Sequence, residues 1–248
     1  MTMTTRSSFV LMVTLALAAP AVDAQRGGRG GGRGAANARA QAALDLEGYW
    51  VSVVTEDWKV RMVTPNAGVY DSLTLNAEGG RVADTWDPAR DEATGEECRS
   101  YGAAAIMRVP GRLHITWEDD NTLRIDTDAG TQTRLLGFDA SAPPVERAWQ
   151  GHSLAEWQAA GRGAGGSLKV VTTNLRAGYV RKNGAPYSER TVLTEYFNVN
   201  TLPNGDQYLT VTTHVDDPVY FSRPLITTTD FKKLAGDAGW NPTPCSAR

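Results

Sequence analysis

The sequence predicts an all-β protein, a single antiparallel β-barrel or strongly curled meander of about ten strands. Of its 248 residues, 41% are hydrophobic and 21% are charged, which is the composition of a folded domain. From Leu44 onward, short alternating segments bounded by turn residues dominate, and segments with helical periodicity are scarce. An antiparallel sheet of this size curls to hide its edges, and so we expect a closed or nearly closed barrel.

The first 24 residues have the features of a secretory signal. Arg6 precedes an apolar core at 9–19, Pro20 ends it, and Val22 and Ala24 supply the small side chains that signal peptidase requires. The core is shorter than the roughly 20 residues that cross a bilayer. We therefore expect cleavage after Ala24 and a mature chain that is periplasmic or secreted, with no membrane span.

Residues 25–43 are rich in arginine and glycine, and we expect them to form a flexible linker. Such a composition buries too little apolar surface to offset the entropy of ordering it. Arginine–glycine tracts also bind RNA, but this one lacks aromatic residues, and the net charge of −3 over the whole chain argues against a nucleic-acid partner. An anionic envelope surface is the partner that this segment fits.

The body, 44–248, is predicted to be one domain. Its glycine-rich and charged stretch at 78–102 predicts irregular structure with one helical turn near 81–86. Four short segments separated by tight-turn residues predict an antiparallel meander, and alternation predicts six further strands. The meander segments are 107–109, 113–117, 123–127 and 132–136, and the others are 49–55, 58–63, 149–157, 168–175, 192–200 and 207–215.

Two cysteines, Cys98 and Cys245, predict one disulfide, because an even count in an exported protein usually means pairing. The bond would tie the C-terminal segment to a loop far earlier in the chain. A metal thiolate pair is disfavoured, since the short spacing and the nearby histidine of such sites are missing.

Two resemblances add to this interpretation. The run 46–50, Leu-Glu-Gly-Tyr-Trp, resembles the Gly-x-Trp opening strand of lipocalin-like barrels, in which the Trp closes one end of the barrel. The runs Trp-Gln-Gly-His-Ser at 149–153, Pro-Tyr-Ser-Glu at 186–189 and Asp-Asp-Pro at 216–218 resemble an uncharacterised family of exported bacterial β-rich proteins. That second resemblance implies export, one β-rich domain and the disulfide, and it implies no reaction.

Three residues are candidates for chemistry. His152 lies between Gly151 and Ser153, where an imidazole could act as acid or base, or could instead be a structural histidine bonded to a carbonyl. Glu195 shares a strand face with apolar residues, so its carboxylate should be paired or have a raised pKa unless a bulge turns it to solvent. Tyr187 precedes that strand in a loop and could orient a ligand.

The same cavity would be lined by further polar and aromatic groups. We predict ligand contacts from Trp50, Trp149, His152, Tyr187, Glu189 and Glu195. No cofactor is predicted, and neither is a metal site, because alternation turns His114 and His214 away from the interior and so from His152. The Asp-rich hairpin turns do not have the spacing of a calcium loop.

The leading functional expectation is a lipocalin-like barrel that binds a small, largely apolar or aromatic molecule, with His152 and Glu195 as polar anchors. The sequence does not decide whether the protein is an enzyme. One alternative is a cofactor-independent isomerase, cyclase or lyase that uses His152 and Glu195 as an acid–base pair with Tyr187. Another is a cell-envelope module that binds polysaccharide or protein through exposed aromatic residues.

Overall fold

The computed structural model describes residues 37–159 and 165–248. The predicted signal, its cleavage site and most of the predicted linker lie outside the described residues. Nine strands surround one interior: β1 Gly48–Val53, β2 Arg112–Asp119, β3 Thr122–Thr127, β4 Thr133–Gly137, β5 His152–Ala159, β6 Gly166–Thr173, β9 Val192–Thr201, β10 Gln207–Asp216 and β11 Leu225–Leu234. A separate two-stranded sheet consists of β7 Gly178–Arg181 and β8 Ala185–Tyr187.

The nine strands close a barrel in the ring order β1-β11-β10-β9-β6-β5-β4-β3-β2, and β1 pairs with both β11 and β2. This confirms the predicted all-β barrel. All neighbours are antiparallel except β4 and β5, which are parallel and pair only at Leu136↔Ser153 and Gly137↔Leu154. The barrel is thus closed by one short seam.

One end of the barrel is covered by a cap made of β7, β8 and short helices. The helices are α1 Trp58–Met62, α2 Ala77–Ala83, α3 Pro88–Ala93, a 3-10 turn at Glu97–Ser100, and α4 Ala103–Ile106. Barrel residues Leu193, Val215 and Leu225 pack in one buried cluster with cap residues such as Val180 and Tyr187. Within the described ranges, no helix combines the length and apolar character needed to cross a bilayer.

Alternation along the strands fills the barrel with side chains. Trp50, Ile115, Phe197 and Phe231 are completely buried and belong to one apolar cluster. Because successive side chains of a strand point to opposite faces, each strand sends every second residue into this cluster and leaves the others on the outer wall. The core therefore lies on the barrel axis.

The end opposite the cap is covered by aromatic rings and by the start of the described chain. Phe138 lies between Trp117 and Trp157, at ring-centroid distances of 5.6 and 5.3 Å. The Trp157 Nε1 donates to the Ala38 carbonyl at 2.9 Å. At the end of the predicted linker, the Ala38 and Arg39 amides donate hydrogen bonds to Asn121 Oδ1 and to the Asp120 carbonyl.

Two expected strands are absent, and one strand was not expected. The segment 58–63 was expected to be a strand, but Trp58–Met62 form helix α1, in which no residue is fully buried. Its Arg61 Nε donates to the Arg108 carbonyl. Residues 107–109 follow the buried helix α4 and form no strand, so the meander has three strands. Strand β11 was missed because its inward positions include Thr227 and Thr229, which obscure the apolar alternation.

Candidate functional site: an arginine-lined cavity

A cavity of about 60 Å³ lies between the cap and the end of the barrel. Its apolar wall comes from α1, the segment after α4, β7 and the first residue of β11. Its charged wall holds Arg61, Arg108 and Arg181, with Asp57 and Lys182. We call this space the anion cavity. Its lining includes Val60, Leu73, Ala105, Val109, Pro110, Val180, Leu225 and Thr227.

Arg108 follows α4 and lies at the centre of the charged wall. Its Nη2 donates to Asp57 Oδ2 at 2.7 Å, and its Nη1 lies 3.5 Å from Glu56 Oε2 without hydrogen-bond geometry. Its side chain is only 13% exposed. Two carboxylates therefore compensate the buried Arg108, and they leave the other two arginines of the wall less compensated.

Arg61 projects inward from the short helix α1. Its Nε donates to the Arg108 carbonyl at 2.9 Å and its Nη1 to the Glu56 carbonyl at 3.4 Å, while its Nη2 is buried and has no hydrogen-bond partner. Burial and the nearby charge of Arg108 lower the pKa of Arg61 to about 10, against the opposing effect of Glu56 and Asp57. The low pKa indicates a cation that lacks sufficient compensation.

Arg181 ends β7 and connects the cavity to the loop above it. Its Nη2 donates to the Asp71 carbonyl at 3.2 Å and to Ser72 Oγ at 3.1 Å, while Nη1 is buried without a partner. Burial, and then the charge of Arg108, lower the pKa of Arg181. Nearby, Asn183 Nδ2 donates to the carbonyls of Asn66 and Val69. These two side chains fix the loop over the cavity.

Each of the three guanidinium groups thus has one buried terminal nitrogen without a hydrogen bond among the described residues. A buried donor without an acceptor costs free energy, and guanidinium groups pair best with carboxylate or phosphate oxygens. Lys182 adds a fourth cation to the wall. The carboxylates of Glu56 and Asp57 form ion pairs with Arg108 alone, while Asp230 and Asp71 act on Arg61 and Arg181 only through longer-range charge interactions. The cavity is therefore suited to a small anion, with an apolar wall beside it.

A second charged feature lies inside the barrel. Arg134 and Glu195 are both 0% exposed and form a bidentate ion pair, with Nη1–Oε1 and Nη2–Oε2 distances of 3.1 and 2.5 Å. Glu195 does face the apolar interior, as alternation predicts, and its carboxylate is paired. The Arg134 Nε and the hydroxyls of Thr213 and Thr229 are buried and have no hydrogen-bond partner in residues 37–159 and 165–248.

This ion pair is connected to the anion cavity through a row of polar residues. Thr227, in the cavity wall, is directly opposite Thr213 on the neighbouring strand, and Thr213 is directly opposite Glu195 on the next. All three side chains are buried and face the interior. A polar layer therefore separates the cavity from the apolar core below it.

His152 lies on the other side of the barrel wall. The adjacent Ser153 points inward and bonds to the Thr172 hydroxyl at 2.8 Å, so His152 points outward, where its Nε2 lies 3.2 Å from the Ser141 carbonyl. His152 and Glu195 therefore face opposite sides of the wall. The structure does not bring them together.

The other predicted site residues are dispersed. Trp50 is buried in the core and donates to the Leu46 carbonyl at 2.9 Å. Tyr187 is buried in the cap, Trp149 lies under the Arg176 guanidinium at 4.1 Å from its ring centroid, and exposed Glu189 pairs with Arg147. None of these side chains lines the anion cavity.

The predicted disulfide is present, with Cys98 and Cys245 joined at an S–S distance of 2.05 Å. His114 stacks on Tyr49 on the outer wall, at 4.0 Å between ring centroids, and His214 is also half-buried on that wall. In the two described ranges, no group of three or more His, Cys, Asp or Glu residues could hold a metal ion.

Sequence reasoning missed the three arginines of the anion cavity. They lie 47 and 73 positions apart on a helix, a turn and a strand of the cap, and no local pattern connects them. The burial of Arg134 could have been predicted from alternation, because Arg134 shares the inward face of β4 with Leu136.

The three arginines of the anion cavity form no known sequence motif. No protein-family model, no curated protein and no solved structure matches this chain, and so its function is argued from its own residues.

Proposed function

We propose that this protein binds a small molecule with one anionic group and a short apolar part, held in the anion cavity at the capped end of the barrel. The observation that carries the proposal is the set of three buried guanidinium nitrogens, on Arg61, Arg108 and Arg181, that make no hydrogen bond within the described part of the chain. A carboxylate or phosphate would supply acceptors for them. The adjacent apolar wall supports a ligand that is otherwise apolar, in line with the sequence-based expectation.

The anchors of this proposal differ from those expected from the sequence. His152 and Glu195 do not share a pocket, so no observation favours their use as an acid–base pair in an enzyme. Export through the N-terminal signal remains part of the proposal. The disulfide supports it, because such bonds persist in oxidising compartments.

Calorimetric titration tests the proposal with butanoate as the anion and 1-butanol as its uncharged counterpart. We expect saturable binding of butanoate and none of butanol, because the guanidinium groups select for charge. Arg181→Met should weaken butanoate binding by about tenfold or more, the effect of one lost hydrogen bond between charged groups.

Arg190→Met is the matched control. Arg190 is exposed and lies outside the cavity lining, so its loss should leave butanoate affinity unchanged. Absence of binding for butanoate, phosphate and sulfate alike would overturn the proposal, and so would equal effects of the two arginine substitutions.

A second candidate function is a cell-envelope interaction module, which two observations favour. The barrel axis is filled with side chains, and Tyr49, His114 and Trp240 form a contiguous aromatic cluster on the outer wall. Aromatic faces of this kind bind sugar rings. Co-sedimentation with insoluble cell-wall polysaccharide tests this function, and Trp240→Ala should reduce the bound fraction if it is correct.

A further inference from the structure

The cap contains a second cavity, of about 80 Å³, at a place separate from the anion cavity. Its walls are contributed by α2, α3, the 3-10 turn, β7, β8 and the chain near 220. We call it the aromatic cleft. Its principal side chains are Trp86, Arg90, Arg99, Tyr179, Tyr187 and Tyr220.

Three buried hydrogen-bonding groups lining this cleft have no partner among the described residues: Trp86 Nε1, Arg99 Nε and Tyr187 Oη. The Tyr187 side chain is 0% exposed, so water of the bulk solvent does not satisfy it. The indole and guanidinium nitrogens only donate, and the phenol also donates. The complement to this set is a group that carries acceptor oxygens.

The charge of the cleft also favours an acceptor with negative charge. Arg90 and Arg99 line it, and the carboxylate that pairs with Arg99 is Asp91. Both oxygens of Asp91 are already engaged, Oδ1 by Arg99 Nη1 at 3.1 Å and Oδ2 by the Tyr179 hydroxyl at 2.9 Å. Asp91 thereby orients Arg99 without adding an unpaired negative charge.

The remaining walls are aromatic rings, which favour a flat partner. Trp86, Tyr179 and Tyr220 supply ring surfaces, and Arg99 already stacks on Tyr179 at 4.6 Å from the ring centroid. The Tyr187 hydroxyl reaches its position at the cleft only because Gly102 and Gly178 have no side chain, since a Cβ there would lie 2.2 and 2.7 Å from the Tyr187 oxygen. Rings pack face to edge or in offset stacks against one another.

We propose that the aromatic cleft is a second binding site, which takes a small aromatic carboxylate. The carboxylate meets the donors of Trp86, Arg99 and Tyr187, and the ring packs among the aromatic side chains. This site is distinct from the anion cavity, because no described residue lines both.

Benzoate titration followed by the Trp86 indole N–H resonance tests this site directly. The resonance is identified by its loss in Trp86→Phe, and it reports the cleft whatever happens in the anion cavity. We expect a saturable shift with benzoate and a weaker effect with cyclohexanecarboxylate, which has the same charge but no flat ring. Tyr187→Phe should weaken benzoate by about tenfold, because it removes one donor to a charged group.

Tyr208→Phe is the matched control, since Tyr208 lies on β10 and outside the cleft lining; its affinity for benzoate should equal that of the wild type. Tyr187→Phe removes a hydroxyl that has no partner among the described residues, so we expect the fold to be retained. An indole resonance that does not respond to benzoate overturns the proposal. A response that is unchanged in Tyr187→Phe overturns it as well.

Discussion

At the scale of single residues, the Arg134–Glu195 pair is the feature whose substitution should affect stability most. Both partners are fully buried inside the barrel. Removing one charge leaves the other without compensation in an apolar environment, whereas removing both does not. Pairs of this kind therefore specify the arrangement of a core more than they stabilise it.

Glu195→Gln should lower the free energy of unfolding by about 3–5 kcal/mol, because Arg134 would remain buried and unpaired. The double variant Arg134→Met/Glu195→Leu should be more stable than Glu195→Gln. Urea unfolding measures both, and Glu156→Gln on the exposed face of β5 serves as the control with little effect. A double variant less stable than the single one would contradict this account.

Asp217 links the segments 186–189 and 216–218. Its carboxylate accepts hydrogen bonds from the backbone of Ser188 and from Thr191 Oγ1, the latter at 2.6 Å, and from two amides of its own turn. Burial raises the pKa of Asp217, but these hydrogen bonds outweigh that effect and hold the pKa below its usual value. The motif thus joins β8 to the turn after β10.

Asp217→Asn should cost about 1–3 kcal/mol at pH 6, where the wild-type carboxylate is charged in both the folded and the unfolded chain. A depressed folded-state pKa stabilises the fold above the unfolded value of about 3.9, and that stabilisation is lost as the pH falls further. The difference between wild type and variant should therefore shrink from pH 5 toward pH 2. Urea unfolding across this range measures it, and a difference independent of pH would contradict it.

Alternation placed Glu195 correctly in the interior, yet it gave no partner. The partner comes from a strand 61 positions earlier, and strand order around the ring, which local pattern does not contain, decides that the two meet. For Glu195 the sequence therefore predicted burial but not the partner, whereas the Cys98–Cys245 contact was predicted because only two cysteines are available to pair.

At the scale of elements, the hairpins with strong turn residues were predicted, whereas of the cap only a helical turn near 81–86, which overlaps α2, was predicted. Turns such as Pro203-Asn204-Gly205 fix the pairing of β9 with β10 locally. The β7–β8 hairpin and helix α1 instead depend on tertiary contacts, such as those of Arg61 and Arg181. Tertiary context overrides local propensity where an element is this short.

Gly184, in the turn of the β7–β8 hairpin, and Gly68, in the segment after α1, offer a matched pair of glycine substitutions. Gly184 and Gly68 both have φ +84, but a Cβ at Gly184 would lie 2.2 Å from Trp86 Cβ, whereas nothing lies within 4 Å at Gly68. Gly68→Ala should cost about 1–2 kcal/mol for the left-handed conformation alone. Gly184→Ala should cost about 1–3 kcal/mol more for the clash, as measured by thermal unfolding, and equal costs would argue against the contact.

At the scale of the whole molecule, closure of the barrel follows from strand number, and its weakest point follows from β4 and β5. These strands pair at two positions, while β9 and β10 pair at ten. Barrel closure was predictable because antiparallel sheets hide their edges. The position of the seam was not, because it depends on the long connection between β4 and β5.

Amide hydrogen exchange should show this difference in the native protein. We expect the amides of β4 and β5 that face the seam to exchange faster than those between β9 and β10, because opening two residue pairs requires only a local fluctuation. Two-dimensional NMR after transfer to deuterium oxide measures the rates. Equal protection around the ring would show that other contacts hold the seam closed.

The polar layer formed by Thr227, Thr213 and the Arg134–Glu195 pair has a consequence for ligand length. An apolar tail entering the barrel from the anion cavity would contact buried polar groups without offering them a hydrogen bond, and that cost offsets the roughly 0.8 kcal/mol gained for each methylene buried. The layer therefore limits the length of the apolar part that a ligand of the proposed site can have beyond its charged head group. The proposed site would bind short acids and exclude long-chain fatty acids, although both carry the same carboxylate.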